Sequence, residues 1–513
     1  MSFRDCHSSA GPILLALLCA ILASNPVSVS AQDESLQAMA AFALIEDAIT
    51  KAVEKADPCI VAIATVRHSH RLIQRQPARN PFNLKPDRIQ ASNPNADGFK
   101  PREFGTGIVV ANPKKPGERL ILTNYHVVQG GRPFKPNTHS SWDATIHVWF
   151  NRHQKTEAHI FAADPRSDLA ILKFDMSKLG LAPADIPALP LPRNNRIRKG
   201  QFVIALGNPY AIASHDGSPS VSLGMVSNVS RFPFAETKDD KTTIHHFGTL
   251  LHVDTRLGPG SSGGALLNRH GELIGITTSL AALEGYESTV GYAIPVDKST
   301  RRIIDDLIRG YEVEYGFLGV RMQDADFRLP PYGQRGASRV GVEVSGVLEA
   351  SPAEEGGIRA GDVLLSVNAR PLYEQSDLFR EIGLVAPGET AHIRAYRNGR
   401  DVSLRVKVGK WPVDDDGIIV SETRFPAWRG LHVDWPTSRK GGFDQENPYP
   451  QAVYIRKVEA NTPGAQIEVG QFIVSVNSRR VKTPAEFNAA VQKAGRAAVE
   501  IRLADGQELT IRP

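Results

Sequence analysis

At 513 residues the chain is too long for a single hydrophobic core, which predicts about three domains. Its 41% hydrophobic and 22% charged residues are ordinary for a globular protein. The formal net charge is only +5 and comes from interspersed Lys, Arg, Asp and Glu, so we expect no nucleic-acid partner.

Residues 1–31 have the pattern of an export signal. Arg4 precedes an apolar run from Ile13 to Ala23, and Val29-Ser30-Ala31 offers small residues for cleavage. The run is shorter than the roughly 20 residues that span a bilayer. We therefore expect a signal peptide and a periplasmic or secreted protein, which is attached to the membrane only if the signal stays uncleaved.

Cleavage after Ala31 would leave Cys59 as the single cysteine. No intrachain disulfide could then form, and a cysteine-based zinc site is excluded. Because Cys59 stands in an apolar stretch, we predict a buried thiol.

Residues 32–103 combine a helix, a first strand and a loop. Apolar residues at three- and four-residue intervals predict the helix from Gln32 to about Asp57, and a strand begins at Ile60. From about Arg67 to Glu103 the sequence is polar and has no apolar period. This stretch is predicted to be a long mobile loop.

Between Gly105 and Pro295 the sequence consists of short β runs separated by turns. This pattern predicts an antiparallel barrel or sandwich. A helix over Pro295–Arg309, stopped by Gly310, marks the end of this domain. Examples of these β runs are Gly107–Ala111, Leu120–Thr123, Thr145–Phe150, Ala170–Phe174, Phe202–Leu206, Leu273–Thr278 and Val290–Ile294.

Beyond Gly310 the chain repeats a module of roughly 90 residues. The segment Gly361–Asn368 is echoed by Gly470–Asn477, and an amphipathic helix follows each copy. Duplicated small domains are therefore predicted at 310–410 and 411–513. Three aspartates near Pro412–Gly417 read as a solvated linker.

The segment Gly260-Ser261-Ser262-Gly263-Gly264 is the sharpest chemical signal. Glycines around a serine let the backbone turn tightly, so one loop can present a nucleophile and backbone N–H donors for an oxyanion. The segment also matches the G-x-S-x-G elbow of α/β-hydrolases.

The order of the candidate partners separates these two folds. His126 follows an apolar strand and Asp168 precedes another, and both lie upstream of Ser262. An elbow serine would precede its partners, whereas His, Asp, Ser is the chymotrypsin-like order. The expected roles are general base for His126, orienting acid for Asp168 and nucleophile for Ser262.

Four phrases resemble the signatures of the HtrA (Deg) family. They are Thr123–Val128, Ser167–Lys173, Ala205–Tyr210 and Pro259–Leu266. The resemblance is close from about Ala48 to Gly409 and looser beyond. It implies a mainly β chain, with a chymotrypsin-like double β-barrel protease domain at 104–309 (beginning near 48) followed by two PDZ-like α+β domains.

The resemblance also implies roles for further residues. Backbone N–H groups of Gly260, Ser261 and Ser262 would form the oxyanion hole. An S1 pocket for a small or medium aliphatic residue would be lined by Leu257, Ile276, Thr277 and Thr278. The family usually has Asn-Pro-Gly-Asn-Ser where this chain has Gly258-Pro259-Gly260-Ser261-Ser262, which puts the rigidity of this loop in question.

In the first module the resemblance places a loop that captures peptide C-termini. Its residues are Tyr315, Gly316, Phe317, Leu318, Gly319 and Val320. The counterpart in the degenerate second module is Trp428–Val433, followed by a Pro/Gly-rich insertion at Pro436–Pro450.

The implied function is a serine endopeptidase that cleaves unfolded or misfolded exported proteins through an acyl-enzyme, as a homotrimer or larger oligomer. The alternatives are a peptide-binding chaperone or scaffold with weak or idle protease activity, and an esterase, which the triad order disfavours. No cofactor is expected, because no Gly-Lys-Ser/Thr loop is present. His68/His70 and His245/His246 lack a third ligand, so no metal site is expected.

Overall fold

The computed structural model describes residues 31–67, 94, 99, 101–129, 144–151, 154–192, 196–211, 217–231, 249–278, 291–324, 341–412, 421, 425–439 and 450–513. The predicted signal peptide, most of the loop after Arg67, the four histidines considered for metal, and the aspartates of the linker lie outside these residues.

The N-terminal helix α1 spans Ala31–Ala56, close to its predicted bounds. It packs Ala52 and Ala56 into the core between the two barrels. Met39, Phe42 and Ile45, which mark its apolar period, are instead exposed. Pro58 lies in the short turn that separates the helix from the first strand. Within the described residues, no helix is long and apolar enough to cross a membrane.

The first six strands close into an antiparallel barrel in the order β1-β2-β3-β6-β5-β4. Its interior is filled by aliphatic side chains such as Ile121, Val148 and Leu172. The strands are β1 Ile60–Arg67, β2 Glu103–Ala111, β3 Arg119–Asn124, β4 Ala144–Phe150, β5 Gln154–Asp164 and β6 Leu169–Phe174. A single-turn helix, α2, follows β3 at Tyr125–Val128.

The next six strands form a second closed barrel, in the order β10-β11-β12-β9-β8-β7. Together the barrels confirm the predicted chymotrypsin-like architecture. The strands are β7 Phe202–Gly207, β8 Ser220–Arg231, β9 Leu250–Val253, β10 Ala265–Leu267, β11 Leu273–Thr278 and β12 Gly291–Pro295.

Helix α3, Lys298–Ile308, ends this part of the chain. The Asp297 side chain caps it by accepting from the N–H groups of Ser299 and Thr300, as acidic N-caps do. Its apolar face joins the core between the barrels.

Two six-stranded sheets with the same strand order follow, which confirms the predicted duplication. In the first, β14-β15-β16-β18-β19 form the path and β17 pairs with β16; in the second, β21-β22-β23-β25-β26 form it and β24 pairs with β23. A separate two-stranded sheet pairs β13 with β20, at the two ends of the first module.

The first module comprises β13 Gly316–Phe317, β14 Val320–Asp324, β15 Val342–Val347, α4 Pro352–Glu355, β16 Val363–Val367, β17 Arg370–Pro371, α5 Gln375–Gly383, β18 Thr390–Arg397, β19 Arg400–Lys407 and β20 Gly409–Lys410. The second comprises β21 Leu431–Asp434, β22 Val453–Val458, β23 Phe472–Val476, β24 Arg479–Arg480, α6 Pro484–Ala494, β25 Val499–Leu503 and β26 Glu508–Ile511.

Candidate active site

His126 and Asp168 are brought together by the pairing of β3 with β6. The last residue of β3, Asn124, is paired with the first residue of β6, Leu169. His126 follows that pair on α2 and Asp168 precedes it in the turn after β5. Residues far apart in sequence therefore become neighbours at one edge of the first barrel.

The Asp168 carboxylate binds His126 at two places. Its oxygens lie 2.8 and 3.0 Å from the imidazole Nδ1, and one of them accepts the His126 backbone N–H at 2.9 Å. Asp168 is fully buried, and its own carbonyl accepts hydrogen bonds from Asn124 and Tyr125 at 3.0 Å. A carboxylate in this position favours the tautomer protonated at Nδ1, which leaves Nε2 free to accept a proton.

The loop that carries Ser262 is fastened to the first barrel. Thr106 donates its backbone N–H to the Ser262 carbonyl at 2.8 Å and its hydroxyl to the Gly260 carbonyl at 2.7 Å. A Cβ on Gly105 would stand 2.5 Å from Val127 and 3.1 Å from the Ser262 carbonyl oxygen. Gly105 therefore lies between Val127, a neighbour of His126 on α2, and the Ser262 backbone. The structure joins His126 directly to Asp168 and fastens the Ser262 backbone to the adjacent strand β2.

The three predicted oxyanion donors differ in what they contact. Gly260 has φ 94°, and a Cβ there would stand 2.3 Å from the Asn208 carbonyl oxygen, so only glycine fits. The Ser261 N–H already donates to the Gly258 carbonyl at 3.0 Å. We therefore remove Ser261 from the predicted oxyanion hole, because its backbone N–H is already used in the hydrogen bond that closes the turn from Gly258 to Ser261.

The residues predicted for the S1 pocket also separate into groups. Ile276 is fully buried in the core between the barrels. The Thr277 hydroxyl donates to the Ser261 carbonyl at 2.5 Å, so this side chain supports the Ser262 loop. Thr278 is buried, and half-buried Leu257 lies next to Gly291.

Sequence reasoning missed Thr106. Its hydroxyl accepts the Asn208 N–H at 2.8 Å while donating to Gly260, so one side chain ties together two loops of the second barrel. The small residues on either side, Gly105 and Gly107, are the signal that could have pointed to a close approach at this strand.

Comparisons with known proteins agree with this architecture. Residues 105–276 match the trypsin-like peptidase domain family, and residues 316–408 match the PDZ domain family. A probable periplasmic serine endoprotease, DegP-like, of Chlamydia trachomatis is 29% identical over 413 residues, covering 80% of this chain and 73% of the relative. The periplasmic serine endoprotease DegP of Salmonella typhimurium is 26% identical over 486 residues, 91% of each chain.

The chain belongs to the HtrA (Deg) family of serine endopeptidases. Among solved structures, that of the HtrA-type protease AlgW with a tripeptide aligns with a TM-score of 0.46 and 26% identity, over 72% of this chain and 99% of AlgW.

The first PDZ domain of this HtrA protein has an apolar groove between β14 and α5. Five of the six predicted loop residues, Gly316 to Val320, line one side, and Leu378, Phe379 and Ile382 line the other. Trp411, which the sequence did not single out, closes the groove with its ring edge-on to Phe317 and Phe379, at centroid distances of 5.5 and 5.3 Å.

Tyr315, the sixth predicted loop residue, lies outside this groove. It is fully buried, and its hydroxyl donates to Asp164 of the first barrel at 2.5 Å. The predicted role in peptide capture is therefore corrected for Tyr315, because its side chain faces the protease barrel.

In the second PDZ domain, the loop Trp428–Val433, which corresponds to the peptide-capturing loop of the first, packs on helix α6 of the same domain. Trp428 lies edge-on to Phe487 of α6 at 5.9 Å, and the Arg429 guanidinium covers the Trp428 ring at 4.7 Å. Elsewhere in the described part of this HtrA chain, no group of three or more His, Cys, Asp or Glu residues is placed to hold a metal ion.

Proposed function

We propose that His126, Asp168 and Ser262 are the catalytic triad with which this HtrA protein hydrolyses peptide bonds in unfolded or misfolded exported proteins. The observation that carries the proposal is the double contact between the buried Asp168 carboxylate and His126. Residues 104–309 carry out the hydrolysis, and the PDZ domains at 310–410 and 411–513 recognise peptides or regulate the protease. Residues 1–31 are the export signal and the periplasm is the site of action, the compartment that the names of the relatives give for those proteins.

The geometry supports an acyl-enzyme mechanism. His126 Nε2 takes the proton of the Ser262 hydroxyl as Oγ bonds to the scissile carbonyl carbon. The carbonyl oxygen becomes an oxyanion, which the N–H groups of Gly260 and Ser262 stabilise. The imidazolium, held by Asp168, then gives its proton to the leaving amine as the C–N bond breaks, and water hydrolyses the ester by the same route.

Substrate selection is assigned to two places. Half-buried Leu257 and buried Thr278 support an S1 pocket for a small or medium aliphatic side chain. The apolar groove of the first PDZ domain suits the C-terminus of an extended peptide that adds a strand beside β14.

Assembly into a homotrimer or larger oligomer is supported by exposed apolar residues on the second barrel. Phe202 is 62% exposed and is paired across the β7–β8 ladder with Met225, and Leu223 is 51% exposed. Neighbouring exposed apolar side chains mark interaction surfaces. Replacing Phe202 with Glu should lower the mass measured by light scattering, and an unchanged mass would contradict this interface.

The triad is tested by casein turnover of the wild type, Ser262→Ala and the matched control Ser261→Ala. Ser262→Ala should abolish cleavage, whereas Ser261→Ala should retain it, because alanine keeps the N–H bond to Gly258. No cleavage by the wild type, with aggregation of a client still suppressed, would favour a chaperone. Ester turnover without proteolysis would favour an esterase.

A further inference from the structure

The turn that presents Asp168 is built around Asp164. The Asp164 carboxylate is almost fully buried and accepts a hydrogen bond from the Ser167 N–H at 3.1 Å. The Asp164 backbone carbonyl accepts one from the Ser167 hydroxyl at 3.3 Å. Asp168 then adopts a left-handed conformation, φ 53°, with its N–H on the Pro165 carbonyl at 3.2 Å. Because non-glycine residues seldom adopt this conformation unless their surroundings impose it, the orientation of Asp168 depends on this turn.

Tyr315 holds Asp164 from outside the barrels. Its hydroxyl donates to Asp164 Oδ2 at 2.5 Å, across 151 positions of sequence. Burial, and after it the charge of Asp164, raises the pKa of Tyr315 well above its ordinary value, while a hydrogen bond with Ser167 acts the other way. The phenol therefore remains a protonated donor, and it touches both Asp164 and the residue that precedes Asp168.

Arg166 fastens the same turn to the segment that leads into the first PDZ domain. Its Nε donates to Asp164 Oδ1 at 2.7 Å and its Nη2 to the Val313 carbonyl at 2.6 Å. Its guanidinium lies 4.5 Å over the Tyr315 ring. The turn and the segment from Val313 to Tyr315 are thus joined by several bonds, and Gly316 of the peptide groove follows directly.

We propose that Tyr315 is a positioning residue for catalysis, whose hydroxyl holds the Asp164–Asp168 turn so that the Asp168 carboxylate faces the His126 imidazole. The inference rests on the proposed function, because it concerns the triad assigned above. It implies that the segment leading into the first PDZ domain helps to position the catalytic residues.

The test is Tyr315→Phe in the full chain, which removes one oxygen and keeps the ring under Arg166. Tyr454→Phe is the matched control, because Tyr454 is a buried tyrosine of the second PDZ domain. Activity is measured on a short chromogenic peptide, per active site titrated to completion with a fluorophosphonate. For Tyr315→Phe we expect kcat to fall about tenfold with KM unchanged, as for a lost hydrogen bond to a carboxylate that does not touch substrate. Tyr454→Phe should match the wild type.

A second variant tests whether the two residues act as a unit. Asp164→Asn alone should also lower kcat, and adding Tyr315→Phe to it should cause little further loss, because each variant breaks the same contact. Losses that multiply would overturn the inference.

A purely structural role is distinguished by the same measurements. Tyr315→Phe with a lower melting temperature but wild-type kcat per titrated site would overturn the inference and leave the proposed function intact. An inactive wild type would refute both. An equal loss of kcat in Tyr454→Phe would also overturn the positioning role.

Discussion

Asp168 contacts His126 through both the imidazole Nδ1, at 2.8 Å, and the backbone N–H, at 2.9 Å. The second contact fixes the carboxylate relative to the start of α2, and the first then fixes the ring. A fully buried carboxylate with these partners orients the imidazole before substrate arrives.

Replacing Asp168 with Asn should therefore leave the fold intact and lower kcat by about 10⁴-fold, because an amide stabilises the wrong imidazole tautomer. Steady-state hydrolysis of a chromogenic peptide measures this loss. Asp175→Asn is the control, since Asp175 only caps an exposed turn through Ser177. Near-normal turnover by Asp168→Asn would remove Asp168 from the triad.

The two glycines before Ser262 allow a paired test of the oxyanion hole. A Cβ on Gly260 would collide with the Asn208 carbonyl, whereas a Cβ on Gly258 would meet the Tyr210 ring at 3.3 Å. Tyr210 is 52% exposed and can move aside. Gly260→Ala should lower kcat by roughly 10²–10³-fold, as for a lost oxyanion donor, and Gly258→Ala by less than about threefold. Equal effects in peptide hydrolysis would contradict the assignment.

The barrel strands that sequence predicted best are those with continuous apolar residues. Leu120–Thr123 and Ala170–Phe174 are such runs, and the structure extends the first by one residue at each end and the second by one residue at its start. Strand β5, Gln154–Asp164, was missed because its inward side begins with Thr156 and Ala158, which carry little hydrophobic signal. Strand β8 was missed because its Val221, Leu223 and Met225 are exposed and alternate with polar residues.

Trp411 should contribute to peptide binding by the first PDZ domain, because its ring closes the groove against Phe317 and Phe379. Trp411→Ala should weaken binding of a fluorescent peptide with an apolar C-terminal residue by about tenfold. Trp411→Phe should recover part of the affinity. The same peptide with an amidated C-terminus is the negative control in fluorescence anisotropy, and an unchanged Kd for Trp411→Ala would sink the prediction.

A buried ionic cluster joins the end of the first PDZ domain to the second. Lys410, 1% exposed, lies 3.0 Å from Glu312 and 2.8 Å from Asp434, and Arg456 lies 2.6 Å from Glu312. Burial on its own would raise the pKa of Glu312, but the charges of Lys410, Arg456 and Arg166 lower it from 4.5 to about 2. The ionised form is the stable one in the folded chain.

It follows that Glu312 stabilises the folded chain fully above about pH 4.5, and that this stabilisation is lost as the pH falls toward 2. Calorimetric melting at several pH values should show this loss in the wild type. Glu312→Gln should melt lower at pH 7, because it leaves buried cations with one partner fewer, and its melting temperature should fall less between pH 4.5 and 2. Glu468 is exposed, so the melting temperature of Glu468→Gln should depend on pH as that of the wild type does. Parallel curves of melting temperature against pH for the wild type and both variants would contradict the role assigned to Glu312.

The Cys59 thiol should be unreactive in the folded protein. It is 2% exposed, and burial raises its pKa to about 11. At pH 8 little thiolate is present, so alkylation should require unfolding. Peptide mass spectrometry after brief iodoacetamide treatment should find Cys59 unlabelled in the native chain and labelled in guanidinium; rapid native labelling would show that the site opens.

The sequence predicted those parts of the candidate site that depend on short local motifs, and not those that depend on contacts between residues distant in sequence. The order of His126, Asp168 and Ser262, with their strand contexts, was sufficient to name three candidate residues, and the fold brings His126 and Asp168 into direct contact. Tyr315 could not be placed, because its aromatic ring suits a peptide groove and a buried hydroxyl partner equally well. Asp164, its actual partner, is distant in sequence, and no periodicity records such a contact. The turn bond of Ser261 likewise depends on backbone geometry, which a Gly/Ser segment leaves open.

The pairing of Gly316–Phe317 with Gly409–Lys410 places the entry and exit of the first PDZ domain side by side. Paired antiparallel residues have Cα atoms about 5 Å apart. Excising the intervening 318–408 would therefore leave two ends that a short splice can rejoin. We therefore expect that this domain can be exchanged for a related one, because both of its ends enter and leave at the same point of the chain.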